Sequence, residues 1–215
     1  FEWLESLLIG AVISSTDAAS VFSVLRSKKL NLRYGTASIL ELESGSNDPW
    51  AYMLTVIILS VMKGGATAGG FVVSLLAQVF FGVGFGALIS LGAVYLIKRV
   101  RFDAAGFDAI FVTAIAILSY ALPSAVGGNG YLSCYIVGIV LGNTKISGKT
   151  ALVHFFDGIT GFTQILLFFL LGLLAFPSQM PSIILPAAAI ALFLTFVARP
   201  AAVTVTVSYT HLRAH

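Results

Sequence analysis

Charged side chains are scarce in this sequence. Lysine and arginine number 12 and aspartate and glutamate 9 among 215 residues, for a formal net charge of +3. The basic residues sit between apolar runs rather than on a basic face interleaved with aromatics, which excludes a nucleic-acid surface. Cysteine is scarcer still. Cys134 stands alone, so neither an intrachain disulfide nor a thiolate metal cluster can be built, and the redox compartment is not legible. Cys134 itself reads as a small buried hydrophobe. What the chain has in abundance is apolar length: hydrophobic residues make up 58% and the mean hydropathy is +1.00. No soluble single domain needs that much apolar surface, so the composition specifies an all-α membrane protein in contact with a lipid bilayer.

A window of ~19 residues finds seven apolar spans, at about 4–26, 36–62, 71–98, 107–123, 129–143, 155–176 and 182–206. The spans at 107–123 and 129–143 are short for a hydrocarbon core of ~30 Å, given a rise of ~1.5 Å per residue. They must borrow flanking residues or cross where protein surrounds them. The loops alternate in charge. Arg26, Lys28, Lys29 and Arg33 follow the first span, Lys98, Arg99 and Arg101 the third, and Lys145 and Lys149 the fifth, whereas the intervening loops carry only Lys63. Basic loops face the cytoplasm, so the first span runs from outside to inside. Phe1 already lies at the edge of an apolar segment with no signal-like region before it, which reads as a chain starting partway through a longer protein. At the other end, residues 207–215, "VSYTHLRAH", lose the apolar pattern. They resemble translated sequencing-adapter read-through, and His211 and His215 are set aside from any mechanism.

An ionisable group inside a span costs about 2.5–3.5 kcal/mol on insertion scales and is a functional candidate by default. Two places carry that cost. In "ISSTDAASVF", residues Ser14, Ser15, Thr16 and Asp17 interrupt an apolar helix. Their side chains offer the backbone competing hydrogen bonds, so the segment is expected to unwind near Thr16 and Asp17 and free carbonyls for a cation. The plainer alternative is an N-cap at Thr16 or Asp17. The second place is "ELESGSNDPW", residues 41–50. Residues four apart share a helix face, which stacks Ser44 with Asp48 and Glu43 with Asn47 on adjacent stripes. A hydroxyl beside a carboxylate is a hard-oxygen pair suited to a dehydrated alkali cation. Glu43 needs a cationic partner in a low-dielectric site, and the later spans offer Arg199 in "FVARPAAV". Pro49 frees a carbonyl one turn earlier. The plainer alternative is a polar, interfacial helix start with a turn at Asn47–Asp48–Pro49; Glu41 fits the interface better than the site. The glycines of "GVGFGALISLG" from Gly82 read as a face for close helix packing, not a nucleotide loop. "GGNGY" at 127–131 reads as a loop and helix start, and His154 with Asp157 as an interfacial polar face, or more sharply a pH-responsive element.

Taken together, "SSTDAASVF", then "ESGSNDP", "FFLLGLLAFPS" and "ARP" resemble the NhaP-type branch of the monovalent cation/proton antiporters, nearest its bacterial potassium/proton exchanger subgroup. The likeness covers residues 4 to 206. It implies a fold of about thirteen helices in inverted repeats, of which seven are represented here. Residues 1–62 are then core helices with the first one broken, 71–98 the linker between repeats, 107–176 interface and dimerisation helices, and 182–206 a further core helix. The outside-to-inside direction agrees with the loop charges. The resemblance implies a multi-pass protein of the bacterial inner membrane, a homodimer when full length, with no cofactor beyond the transported proton and K+ or Na+. It also implies that Asp48 alternates between proton and cation. Ser44 and Asp48 supply side-chain oxygens, Thr16 its carbonyl, Asp17 a water-mediated contact, and Asn47 a tether between helices. The family's usual partner for the Glu43 carboxylate is an arginine on a second crossed helix that this sequence does not contain, which competes with the Arg199 pairing. Because that helix is absent, the 215-residue chain is expected not to transport by itself.

One carboxylate trading one proton for one monovalent cation leaves the site's charge unchanged, and Asn47 stands where a second carboxylate would otherwise sit. That argues for electroneutral exchange. A channel subunit would need a continuous polar lining, and only two short polar clusters exist. An intramembrane aspartyl protease built on Asp17 and Asp48 would need a dyad sharing a proton across about 3 Å, and its Gly-x-Gly-Asp pattern is absent. The reading is therefore a transporter and not an enzyme.

Overall fold

The computed structural model describes residues 2–16, 36–64, 68–99, 106–146 and 148–211. Among these the regular structure is helical, and they divide into two units, Phe1–Phe155 and Phe156–His215. The first contains α1 (Trp3–Ile13), α2 (Thr36–Met62), α3 (Ala68–Arg99), α4 (Phe107–Ala125), α5 (Gly130–Asn143) and the start of α6 (Lys149–Leu174). Helices fall on each of the seven expected spans, and α2 has the expected bounds. Helix α6 begins at Lys149, before the apolar run, because the polar turn Lys149–Thr150 has adequate helix propensity and needs no lipid. Residues 17–26 of the first span lie outside the described residues.

Helix α5 is 14 residues long, about 21 Å at 1.5 Å per residue, too short to cross a bilayer core unaided. Its buried residues Gly130, Ser133, Val137 and Leu141 recur every three or four positions, which makes one continuous protein-facing stripe. Val137 and Leu141 of that stripe pack with Ala93 of α3 and Ile115 of α4 into the core of the unit. Close approach to α3 depends on glycine. A Cβ on Gly82 would come within 3.0 Å of the Asn129 carbonyl, and one on Gly86 within 3.1 Å of the Ile136 Cβ. The "GVGFG" glycines at 82 and 86 are therefore a packing face one turn apart, as their spacing suggested. The link into α5 turns on Gly127, whose φ of 80° favours glycine.

The second unit holds the remainder of α6, a short 3-10 turn (Pro177–Gln179), α7 (Met180–Phe193), a π-helical turn (Leu194–Ala198) and α8 (Arg199–His211). The π turn has a local cause. Pro200 has no N–H to give the Phe196 carbonyl and its ring crowds that carbonyl, so the preceding turn widens. Helix α8 continues through residues 207–211, so the change in composition after Thr206 is not accompanied by a helix end. Among the described residues four helices are long and apolar enough to cross a membrane: Gly69–Arg99, Phe107–Ala125, Lys149–Leu174 and Pro177–Val205. Trp3–Ile13 and Gly130–Asn143 are shorter apolar helices.

Candidate cation site

Helix α1 stops because Ser14 turns back on it. The Ser14 N–H and hydroxyl both donate to the Ala11 carbonyl, at 3.4 and 2.7 Å, which closes the last turn in place of further helix. Ser15 and Thr16 then leave the helix. Helix α2, by contrast, runs unbroken through Asn47, Asp48 and Pro49, so this segment is neither a turn nor a helix start. The missing Pro49 N–H falls one turn after Gly45 and leaves the Gly45 carbonyl without its usual donor.

The end of α1 meets the polar face of α2. The Ser15 hydroxyl donates to Asp48 Oδ1 in a short hydrogen bond. Asn47 Nδ2 donates to Thr16 Oγ1 at 2.6 Å and to Glu43 Oε1 at 3.4 Å. The Thr16 hydroxyl in turn donates to Ser44 Oγ at 3.2 Å. Ser44 is 1% exposed, although it sits on a helix whose neighbouring Glu43 is exposed. Asn47 spends its amide hydrogens on Thr16 and Glu43, and its buried Oδ1 has no partner among the described residues. The cluster thus joins two helices through hydroxyls, an amide and one carboxylate, and among the described residues it retains an acceptor oxygen with nothing to accept. Oxygen-only donors of this kind suit a hard monovalent cation. Among the described residues no three His, Cys, Asp or Glu side chains gather into a metal-holding group.

Of the residues singled out in the sequence, the structure brings together Thr16, Ser44, Asn47, Asp48 and Glu43. Asp17 lies outside the described residues, as does the side chain of Glu41. Arg199 is exposed at the first residue of α8 in the second unit. His154 and Asp157 are both exposed on α6. Cys134 is half-buried, with its thiol 3.4 Å from the Ala116 carbonyl.

Ser15 is the residue that sequence reasoning missed as a contributor. It belongs to the quoted Ser-Ser-Thr-Asp run, but periodicity cannot say where a side chain points once the helix has ended. A hydroxyl is both donor and acceptor, so Ser15 can donate to an ionised Asp48 and accept from a protonated one. Ser15→Ala is expected to weaken apparent cation affinity by about tenfold, the scale of a hydrogen bond to a charged group. Calorimetric titration of K+ into a purified full-length protein carrying this sequence checks this.

These features define a multi-pass, all-α membrane protein in which the end of one helix is docked on a carboxylate-bearing helix at an oxygen-lined cluster. A family model described as "Sodium/hydrogen exchanger, transmembrane" matches residues 1–215, and the chain belongs to that family. It is 41% identical over 206 residues to the K(+)/H(+) antiporter NhaP2 of Shewanella oneidensis and 39% identical over 204 residues to the K(+)/H(+) antiporter NhaP of Alkalimonas amylolytica, each alignment covering 94% of this chain. The Na(+)/H(+) antiporter NhaS2 of Synechocystis is 28% identical over 200 residues, or 88% of the chain. In all three cases the chain spans 35% of the relative's length.

Proposed function

We propose that this chain carries the ion-binding half of an electroneutral monovalent cation/proton exchanger of a bacterial inner membrane, in which Asp48 alternately holds a proton and K+ or Na+. The observation that carries the reading is the docking of Ser15 and Thr16, just past the end of α1, on Ser44, Asn47 and Asp48 of α2. Two relatives named as K(+)/H(+) antiporters and one named as a Na(+)/H(+) antiporter support monovalent cations as the class.

In the cation-loaded state, Asp48 and Ser44 supply side-chain oxygens and Thr16 its carbonyl, with Asp17 acting through water. In the proton-loaded state the Asp48 carboxyl is neutral, and the Ser15 hydroxyl turns to accept its hydrogen. Asn47 keeps the same hydrogen bonds in both states and so fixes the α1 terminus on α2. The site bears one titrating carboxylate, so loading one cation releases one proton and no net charge moves. The experiment is cation-driven proton flux in proteoliposomes, using an exchange-competent full-length protein that carries this sequence. Flux that is independent of an imposed membrane potential supports the reading, and potential-driven current contradicts electroneutrality.

Glu43 has a structural part in this scheme, as an acceptor that holds the Asn47 amide. Glu43→Gln removes the charge and leaves Asn47 an acceptor. The expected result is a melting temperature in detergent lowered by a few degrees at most, with apparent cation affinity retained within about twofold, since the hydrogen bond survives and an exposed charge contributes only about 0–1 kcal/mol. Unchanged melting beside a large affinity loss would instead make Glu43 a cation ligand.

A further inference from the structure

Two contacts from α5 bracket the cation site, and neither belongs to it. Asn129, the residue capping α5, is fully buried. Its Oδ1 accepts from the Leu132 N–H at 3.0 Å, its own N–H donates to the Gln78 carbonyl of α3 at 3.1 Å, and its Nδ2 donates to the Pro49 carbonyl of α2 at 3.0 Å. Capping accounts only for the first of these, and a serine or aspartate would cap as well. The Nδ2 bond reaches 80 residues back along the chain, to the residue following Asp48. Six residues further along the chain, the Tyr135 hydroxyl donates to the Leu42 carbonyl at 3.1 Å. The Tyr135 ring lies flush on α2 at Gly45, where an added Cβ would come within 2.9 Å of the ring. The Gly in "ESGSND" is thus the seat of Tyr135.

The spacing makes these contacts a register lock. Leu42 and Pro49 are seven residues apart on α2, about 10.5 Å of rise, and Tyr135 and Asn129 six apart on α5, about 9 Å, in the opposite sense. Both bonds form together only in one antiparallel alignment of the two helices. A slip of one turn, about 5.4 Å, breaks both. The segment they enclose is 42–49, which holds Glu43, Ser44, Asn47 and Asp48.

We propose that Asn129 and Tyr135 are positioning residues for the cation site: by holding α2 at the Pro49 and Leu42 carbonyls they set the axial register at which Ser44, Asn47 and Asp48 meet Ser15 and Thr16. The role as positioning for transport rests on the exchange reading above, but the register itself can be measured without transport. Tyr135→Phe removes the hydroxyl and keeps the ring on Gly45. Asn129→Ser keeps a capping oxygen for α5 and is too short to reach the Pro49 carbonyl.

The direct test places cysteines at Thr16 and Ser44, whose hydroxyls are 3.2 Å apart, in a Cys134→Ala background of the full-length protein, and measures disulfide yield under mild oxidation. A high yield with native Asn129 and Tyr135, reduced several-fold by Tyr135→Phe and by Asn129→Ser, is the expected result. Yields unchanged by both substitutions overturn the proposal. Where Asn129→Ser fails to fold, Tyr135→Phe decides alone.

The second readout is exchange by each variant in the native-cysteine protein. The expected result is an apparent KM for K+ and for Na+ raised about fivefold to tenfold, the range one neutral hydrogen bond supplies, with kcat per folded protein preserved. A lowered melting temperature with both constants unchanged would mean that the contacts only hold the fold together, and would overturn the positioning role. If the unsubstituted protein moves no protons with either cation, the exchange reading fails, and the disulfide yields still decide whether α5 sets the register.

Discussion

Asp48→Asn in an exchange-competent full-length protein is expected to reduce K+- and Na+-dependent proton flux to the level of empty vesicles, while the protein still folds. Asparagine has the same shape as aspartate, and its Oδ1 can go on accepting from the Ser15 hydroxyl that Asp48 holds. What is removed is the one group in the scheme that exchanges a proton for a cation. The neighbouring hydroxyls and amide cannot substitute for it: those of Ser15, Thr16 and Ser44 do not titrate in the working range, and the Asn47 amide does not titrate at all. The other carboxylate of the cluster, Glu43, lies on the adjacent stripe and meets Asn47 rather than Ser15. Asp48→Glu tests the same point more gently. Its extra methylene displaces the carboxylate from Ser15 and from the Ser44 stripe, so exchange is expected to persist with weakened cation affinity. Flux comparable to the unsubstituted protein in Asp48→Asn vesicles would remove Asp48 from the carrier role.

Gly130→Ala is expected to be the most damaging single-methyl change in the first unit. A Cβ there would come within 2.6 Å of both the Tyr120 carbonyl and the Ser124 hydroxyl, and within 2.7 Å of the Tyr120 ring. The Tyr120 ring itself packs edge-on to Tyr131, with centroids 5.2 Å apart, and Tyr131 stacks at 4.5 Å on Tyr52 of α2. The obstruction is therefore mostly backbone and a wedged ring, not the loose end of a flexible side chain. Relief requires α4 and α5 to separate, and overpacking of this kind costs about 1–3 kcal/mol or more. Gly138, on the same helix, provides the control. A Cβ at 138 meets nothing within 4 Å, and alanine is favoured over glycine inside a helix by about 0.5–1 kcal/mol. Thermal unfolding in detergent should show a clearly lowered melting temperature for Gly130→Ala and an unchanged or raised one for Gly138→Ala. Equal behaviour of the two would contradict the packing described for the α4–α5 junction.

The parts of this protein that were legible from sequence are those written in local pattern. The bounds of α2 followed from apolar length interrupted by a short polar stripe, and the stacking of Ser44 with Asp48 and of Glu43 with Asn47 followed from the helical repeat. The loss of helix in the Ser-Ser-Thr run followed from consecutive hydroxyl side chains, although it sets in at Ser14, before the expected Thr16, where Ser14 closes the helix on Ala11. Gly82 and Gly86 were legible as a packing face, though not the identity of α5 as their neighbour. What sequence could not supply was contact between distant residues. The orientation of Ser15 depends on how the chain leaves α1, which no periodicity encodes. Asn129 looked like a loop residue and helix cap, and its bond to the Pro49 carbonyl depends on a tertiary alignment of α2 with α5. Gly45 carries no local signal of its own, and its place as the seat of Tyr135 depends on the same alignment. These are long-range placements, and they join helices that local propensity specifies separately.

The central claim is that one carboxylate holds either a proton or a cation, and never both. Calorimetric titration of K+ and Na+ into the purified full-length protein, repeated in buffers of different ionisation enthalpy, measures the protons released for each cation bound. The account predicts close to one proton per cation near the pH at which occupancy changes, with apparent affinity weakening as pH falls because protons compete for the same oxygens. It also predicts that the release disappears in Asp48→Asn. Cation binding with no proton release, or the same release from Asp48→Asn, would contradict it.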